Sequence, residues 1–266
     1  SNTGGGRWEV YKKLPDVWTI NFGELVFNIK PMGFKHTGLF PEQATNWDWF
    51  SDLIKKAGKP VKVLNLFAYT GGATLAAAKA GAHVTHVDAS KGMVQWAREN
   101  AASSGVQDKP VRWIVDDCMK FVAREIRREK KYDIIIMDPP SYGRGPGGEV
   151  WKLENEVYGF IEMCKQVLSD DPLAVLVNSY TAGLSPAVMS YILNSTVVKD
   201  FGGKAEADDL HLFPSVPPSE QIDECRRTYT VFPLLLPVDI LDHRPRMTLS
   251  DNLLLHIVLY LPASPL

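Results

Sequence analysis

The feature that most constrains the fold is a regular alternation of apolar strands and amphipathic helices between residues 61 and 198. Each strand is a short apolar run, and each helix carries its apolar residues three or four positions apart. Residues 132–137 are apolar almost throughout, as expected for a strand buried on both faces of a parallel sheet. Five such alternations predict an α/β fold with a doubly wound, mainly parallel, Rossmann-like sheet that binds ligands at the carboxyl ends of its strands. The predicted strands cover residues 61–67, 83–88, 111–115, 132–137 and 173–177, and the predicted helices cover residues 73–80, 91–101, 118–130, 157–168 and 186–198.

The segment before these alternations is predicted to be a small β extension. Two β-rich runs, residues 17–20 and 25–29, are separated by a turn at Gly23, which is typical of a hairpin. Thr45 is the expected N-cap of a helix that ends near residue 58. We therefore divide the chain into an N-terminal β-hairpin extension, residues 1–44, and a main α/β domain, residues 45–266, with a last buried strand at residues 253–261.

Charge and cysteine content narrow the possible functions. The 266 residues have a net charge of −2, so any surface that binds nucleic acid has to be a local patch. The three cysteines form no CxxC pair, which argues for a reducing compartment and against a structural zinc site. No apolar run approaches the ~20 residues of a membrane span, and residues 1–6 do not resemble a signal peptide. We expect a cytoplasmic protein that binds neither a metal nor a membrane.

The turn after the first predicted strand has the features of a ligand site. The chain runs through Ala68, Tyr69 and Thr70 into two glycines and then directly into a helix. Glycine lets the backbone approach a ligand closely, and the helix N-terminus favours a carboxylate or another anionic group. Asp88 ends the second strand, where a carboxylate can accept hydrogen bonds from both ribose hydroxyls of an adenosine ligand. Ser90 is better placed than Asp88 to cap the helix that follows.

Two further strands also end in acidic residues. Asp117 follows the third strand, where it can accept from an adenine amino group, and Asp138 follows the fourth. Three acidic strand ends in register indicate a ligand site and not three independent helix caps. The first turn lacks the GxGxxG pattern of dinucleotide sites, because Asn65 and Tyr69 stand where glycines are required. Acidic groups suit a ligand with a sulfonium and an amino group, so the pattern favours S-adenosylmethionine over NAD.

Residues 63–72, 86–90 and 138–142 together resemble the class I S-adenosylmethionine-dependent methyltransferases. The resemblance is closest to the bacterial large-subunit ribosomal RNA methyltransferase family, which includes cytosine-C5 and guanine-N enzymes. Residues 37–43 resemble the segment that precedes the catalytic domain in that family, and the similarity extends over residues 38–180. It implies that residues 45–266 are a methyltransferase domain and that S-adenosylmethionine is the cofactor. It also implies that RNA, in particular ribosomal RNA, is the substrate.

The resemblance also implies a role for each matched residue. The loop at residues 69–71 would line the methionine part of the cofactor, Asp88 would hold the ribose, and Asp117 would face the adenine. Phe40 and Gln43 would close over the pocket. The implied cofactor-binding residues are Phe40, Gln43, Phe67, Ala68, Tyr69, Thr70, Gly71, Asp88, Ala89, Ser90, Asp117, Cys118 and Asp138. The implied catalytic residues are Asp138, Pro139, Pro140 and Tyr142.

The segment from Asp138 to Tyr142 contains the residues suited to substrate chemistry. Its carboxylate and its proline carbonyls can accept from an exocyclic amine, the prolines fix the backbone, and Tyr142 can stack on an extruded base. The cytosine-C5 enzymes need a cysteine after the fifth strand, but residues 177–181 contain none. We therefore favour methylation of an RNA base at a nitrogen. Two alternatives stay open. The protein is a small-molecule or protein methyltransferase, or it is a degenerate, cofactor-binding RNA-associated protein. The sequence does not determine the oligomeric state.

Overall fold

The computed structural model describes residues 13, 15–32, 36–144, 150–181, 183–209 and 255–260. The strands are β1 (Trp18–Phe22), β2 (Leu25–Ile29), β3 (Lys62–Leu66), β4 (His83–Asp88), β5 (Val111–Val115), β6 (Ile134–Met137), β7 (Tyr142–Arg144), β8 (Val150–Lys152), β9 (Ala174–Ser179), β10 (Lys204–Asp209) and β11 (Leu255–Tyr260). The helices are α1 (Ala44–Lys56), α2 (Gly72–Lys79), α3 (Lys91–Ser103), α4 (Cys118–Arg127), α5 (Leu153–Lys165), α6 (Pro186–Leu193) and α7 (Lys199–Phe201). A 3-10 turn at Pro41–Gln43 precedes α1, and a π-helical turn at Asn194–Val198 joins α6 to α7.

A seven-stranded sheet forms the centre of the molecule, in the strand order β10-β11-β9-β6-β3-β4-β5. The strands β5, β4, β3, β6 and β9 pair in parallel, whereas β11 is antiparallel to both of its neighbours. This arrangement confirms the predicted doubly wound, mainly parallel sheet. Because parallel strands end at the same edge, the turns that follow β3, β4 and β6 lie side by side there.

Each face of the sheet is covered by helices and has its own apolar core. Alternate residues of β6 point to opposite faces, as the two-residue period of a strand requires. Ile135 and Met137 belong to the core formed with α4 and α5, and Ile134 and Ile136 belong to the core formed with α1 and α2. Burial on both faces explains why the strand sequence is almost continuously apolar.

The hairpin β1–β2 confirms the predicted N-terminal β extension. Its buried residues Phe27 and Ile29 share a core with α1 and α2. The strand β2 is also bonded to α3, since the backbone N–H of Asn28 donates to Asn100 Oδ1 at 2.8 Å and the Trp96 indole donates to the Asn28 carbonyl at 2.8 Å. The domain boundary at residue 44 stays a prediction.

Several predicted boundaries were wrong. Thr45 is not an N-cap, because the 3-10 turn at residues 41–43 leads without a break into α1 and places Thr45 inside the helix. The helix α4 ends at Arg127, and Glu129 then takes a left-handed conformation (φ 52°). The strand β10 and the hairpin β7–β8 were not predicted, whereas the last strand is present at residues 255–260. Among the described helices, none is long and apolar enough to cross a membrane.

Candidate active site

The turn after β3 has an unusual backbone. Phe67 (φ 55°), Tyr69 (φ 50°) and Gly71 (φ 90°) all take the left-handed conformation within five residues. For Phe67 and Tyr69 this conformation costs on the order of 1–3 kcal/mol each, and such strain is concentrated at functional sites. A side chain at Gly71 would not fit, because its Cβ would lie 2.9 Å from the Cβ of Ala97 on α3. The turn is therefore held tightly against α3 with its backbone shaped for a ligand.

Asp88, at the end of β4, stabilises this turn. Its Oδ2 accepts from the backbone N–H of Tyr69 at 2.9 Å, and its Oδ1 accepts from the backbone N–H of Ser90 at 2.8 Å. Burial raises the pKa of the carboxyl, and these two bonds counteract the rise. A carboxylate oxygen has two lone pairs, so both oxygens can still accept from ribose hydroxyls. Ser90 caps α3 through a bond from Met93 N, as predicted.

Asp117 and Cys118 lie where β5 leads into α4. Asp117 caps α4, since its Oδ1 accepts from Lys120 N at 2.9 Å. Asp117 is thus a helix cap, and its predicted contact with an adenine amino group stays a prediction. The buried Cys118 Sγ accepts from the backbone N–H of Phe67 at 3.3 Å, and burial raises the pKa of its thiol. Cys118 thus links the start of the strained turn to α4.

Aromatic side chains enclose the same edge of the sheet. The Phe40 ring lies 5.7 Å from Tyr69 and 5.6 Å from Tyr180. Thr70 fixes the segment before Phe40, because its hydroxyl donates to the Gly38 carbonyl at 2.5 Å. A cavity of about 50 Å³ lies beneath these rings. Of the predicted cofactor residues, the cavity is lined by Phe40, Gln43, Phe67, Ala68, Tyr69, Thr70 and Asp138.

Gln43 is buried and makes its hydrogen bonds inside the protein. Its Oε1 accepts from Asn46 at 2.6 Å and from Asn178 at 3.2 Å, and its Nε2 donates to the Tyr180 hydroxyl at 2.9 Å. These contacts tie Gln43 to α1 and to the end of β9, and its predicted place at the cofactor pocket stays a prediction.

Asp138, at the end of β6, differs from the other acidic strand ends. Its Oδ2 accepts from the Tyr180 hydroxyl at 3.4 Å, whereas its Oδ1 is buried and has no hydrogen-bond partner among the described residues. Burial, with a further contribution from the negative charge of Glu42, raises the pKa of Asp138 to about 7. The bond from Tyr180 acts in the opposite direction. Asp138 Oδ1 is thus a buried acceptor to which no described residue donates a hydrogen bond.

The residues after Asp138 lead into the hairpin β7–β8. The Trp151 indole donates to the Pro140 carbonyl at 2.6 Å, and its ring packs 5.7 Å from Phe67. One proline carbonyl that we expected to be free is therefore already bonded to Trp151. Tyr142 lies on β7, four residues after Asp138 in the chain, with 50% of its surface exposed.

Sequence reasoning missed four residues of this site: Glu42, Trp151, Asn178 and Tyr180. Residues 177–181 were searched only for a cysteine, yet Asn178 and Tyr180 end a fully buried strand. Polar residues at that place in a parallel sheet are themselves a signal of a site. The contact of Trp151 with Pro140 had no such signal, because it depends on the unpredicted hairpin.

No described cysteine is suited to a nucleophilic role, since Cys118 and Cys164 are both buried with a raised pKa. Cys225 lies outside the described residues. The described part of the chain also contains no group of three His, Cys, Asp or Glu residues that could hold a metal ion.

Sheet order, strained turn and acidic strand ends together define a methyltransferase of the Rossmann-like class. The model of the S-adenosylmethionine-dependent methyltransferase family matches residues 7–151. The chain belongs to this family, and its cofactor is S-adenosylmethionine.

Individual relatives agree with this assignment. An S-adenosylmethionine-dependent methyltransferase from Agrobacterium tumefaciens, known from a crystal structure, is 40% identical in sequence to this chain. The two structures superpose with a TM-score of 0.75, and the match covers 79% of this chain and 67% of that chain. The ribosomal RNA large subunit methyltransferase K/L of Shewanella baltica is 37% identical over 117 residues. That match spans 44% of this chain but only 16% of the relative's length. A methyltransferase structure from Streptococcus mutans shares the fold with a TM-score of 0.65. It is 20% identical in sequence, and the match covers 93% of this chain and 56% of that chain.

Proposed function

We propose that this protein transfers a methyl group from S-adenosylmethionine to a nitrogen of an RNA base. The observation that carries the proposal is the buried, unpartnered Oδ1 of Asp138 beside the strained turn at residues 67–71. Leaving such an acceptor unsatisfied costs about 1–3 kcal/mol, which a bound donor recovers. An exocyclic amino group of a base supplies a donor of this kind.

In this proposal S-adenosylmethionine would be held at the carboxyl ends of β3, β4 and β5 and would supply the methyl group. The turn at residues 67–71 would hold the methionine part, and Asp88, with Ala89 and Ser90 beside it, would hold the ribose. Asp117 and Cys118 would border the adenine. Phe40 covers the pocket from above through its contact with Tyr69. Gln43 acts on the site indirectly, because its amide is bonded to Tyr180.

The substrate amine lies between the cofactor and the end of β6. Asp138 Oδ1 and the Pro139 carbonyl would accept its two N–H groups, which would orient the nitrogen lone pair toward the methyl group. The new N–C bond would form as the S–C bond breaks, S-adenosylhomocysteine would leave, and the nitrogen would release one proton, for which Asp138 is the adjacent acceptor. Methyl transfer to a neutral amine needs in-line approach, so correct positioning contributes more than acid–base strength. Pro140 and Trp151 fix the turn, and Tyr142 stacks on the extruded base.

RNA is proposed as the substrate because curated relatives that match 44% and 52% of the chain are named as ribosomal RNA large subunit methyltransferases. A cytosine-C5 reaction is not supported, because the two described cysteines are buried and neither follows β9. Modification of ribosomal RNA also places the protein in the cytoplasm in this proposal.

A methyl-transfer assay tests the proposal. The chain is incubated with radiolabelled S-adenosylmethionine and unmodified ribosomal RNA, and the RNA is then digested to nucleosides. We expect label in an N-methylated nucleoside, with RNA binding that weakens as salt increases. Label in 5-methylcytosine would overturn the choice of nitrogen. Label only in protein or in small metabolites would favour the rival substrates, and cofactor binding without any transfer would indicate a degenerate enzyme.

A further inference from the structure

The polar residues behind Asp138 form a continuous chain from α1 to the end of β6. Asn46 contacts Gln43, Gln43 contacts Tyr180, and Tyr180 contacts Asp138, with separations of 2.6, 2.9 and 3.4 Å. We propose that this chain makes Tyr180 a positioning residue, which holds Asp138 Oδ2 so that Oδ1 faces the substrate. The inference rests on the proposed function and deepens it by naming what orients its central acceptor.

The direction of this chain follows from the donors and acceptors available. Two donors, the side-chain amides of Asn46 and Asn178, both point at Gln43 Oε1. The amide of Gln43 is therefore fixed with its nitrogen toward Tyr180, to which it can only donate. Since the Tyr180 oxygen accepts that bond, its single hydrogen is available for Asp138 Oδ2. Every hydrogen bond in the chain thus points toward the carboxylate.

This one-way chain explains why the two oxygens of Asp138 are unequal. The Oδ2 is bonded to a hydroxyl that cannot turn away without breaking its bond to Gln43, whereas Oδ1 has no partner in the described structure. The Tyr180 ring is itself confined by Phe40, whose centroid lies 5.6 Å away. A substrate amine consequently meets one free acceptor in a fixed orientation, which is what in-line transfer requires.

Four titratable side chains near Asp138 bear on the pH dependence of the reaction. Glu42 from the 3-10 turn raises its pKa, and Tyr180 from the end of β9 lowers it. Tyr69, from the turn after β3, has a pKa raised to about 12 and stays neutral below that pH. His36 packs against Phe40 at 5.2 Å, and burial lowers its pKa. The ionised form of Asp138 is the acceptor, so the methyl-transfer rate should rise with pH through about 7.

The substitution Tyr180→Phe tests the inference, because it removes the hydroxyl and keeps the ring against Phe40. We expect the single-turnover rate to fall about tenfold, the usual effect of losing a hydrogen bond to a charged group. The affinity for S-adenosylhomocysteine should be unchanged. The pH–rate profile should also move to higher pH, because Asp138 loses the bond that lowers its pKa. Gln43→Met, which frees the Tyr180 hydroxyl to turn, should shift the profile in the same direction by less.

Tyr132→Phe is the matched control, since the hydroxyl of the buried Tyr132 also donates to a carboxylate, Glu125 Oε2, at 2.7 Å. We expect this variant to lower the melting temperature without moving the pH–rate profile. In the Asp138→Asn background, Tyr180→Phe should have no further effect on the rate. An unmoved profile in Tyr180→Phe, or an equal further loss in that background, would overturn the positioning role.

Carboxyl NMR of Asp138, assigned by the signal lost in Asp138→Asn, makes the test independent of any substrate. We expect its pKa to be higher in Tyr180→Phe than in the unmodified protein. If the unmodified protein fails to methylate RNA but this shift is present, the proposed substrate is wrong and the hydrogen-bond chain is right. If RNA is methylated but the pKa of Asp138 is the same in both proteins, the proposed substrate is right and the hydrogen-bond chain is wrong.

Discussion

The two ends of β6 carry aspartates in opposite situations. Asp133, before the strand, accepts from the backbone N–H of Lys62 at 2.9 Å and from the Ser169 hydroxyl at 2.9 Å, and it forms an ion pair with Lys59 at 3.6 Å. The carboxylate of Asp138, after the strand, accepts one bond of 3.4 Å at Oδ2, and its buried Oδ1 has no partner among the described residues. A fully bonded carboxylate stabilises the fold, and an incompletely bonded one is left for a ligand. The amino end of β6 is thus built for stability and the carboxyl end for chemistry.

The largest effect that this comparison predicts is on catalysis. Asp138→Ala should lower the single-turnover rate of methyl transfer by about 10³-fold, because the amine loses both its acceptor and its orientation. Calorimetry should show the affinity for S-adenosylhomocysteine within about a factor of two of the unmodified protein. If cofactor affinity and melting temperature fell together with the rate, Asp138 would be a structural residue like Asp133.

The opposite end of the strand should respond in stability alone. Asp133→Ala leaves the backbone N–H of Lys62 and the hydroxyl of Ser169 without this acceptor, and it removes one of the two carboxylates paired with Lys59, which keeps Asp171 at 2.9 Å. We expect the free energy of unfolding to fall by about 2–3 kcal/mol, measured by urea denaturation. The turnover of the protein that stays folded should be close to that of the unmodified chain. A 10³-fold loss of turnover without loss of stability would contradict the comparison.

Asp88, at the carboxyl end of β4, differs from Asp138 in how its carboxylate is bonded. Asp88 is bonded to two backbone N–H groups, so it serves the turn as well as the cofactor. Asp88→Ala should weaken binding of S-adenosylhomocysteine by about 1.5–3 kcal/mol, as expected for lost hydrogen bonds to a charged group. Titration calorimetry measures this change directly. An unchanged affinity would remove Asp88 from the cofactor site.

The smallest expected effect is on substrate binding at the surface of the site. Tyr142→Ala should weaken RNA binding by about 1–3 kcal/mol, the usual contribution of a base–aromatic stack, while cofactor affinity stays the same. Tyr158→Ala is the control, because Tyr158 lies on α5 and is equally exposed, at 49% against 50% for Tyr142. Equal losses in both variants would mean that Tyr142 has no specific contact with the base.

The turn after β3 and the acidic residues at the carboxyl ends of β4, β5 and β6 were predictable from the sequence, since each lies at the end of its own strand in the chain. The turn after β3 and the cap at Ser90 are local features that sequence patterns record directly. The substrate side was predictable only in part. The Asp138 segment was recognised, but its partner Tyr180 lies 42 residues away in the chain and was overlooked. Asp117 shows the converse, because a residue assigned to the ligand also caps α4.

By itself the sequence determined the alternation of strands and helices, the parallel sheet and the acidic residues at its carboxyl edge. Apolar periodicity and strand-end residues act over a few positions, so they can be read along the chain. Only the tertiary structure decided that Gln43 donates a hydrogen bond to Tyr180, 137 residues away. It also decided that Asp138 Oδ1 has no hydrogen-bond donor among the described residues. Those outcomes depend on which donors reach which acceptors once separate elements are packed together. Hydrogen-bond satisfaction is a property of the folded assembly, and no local pattern encodes it.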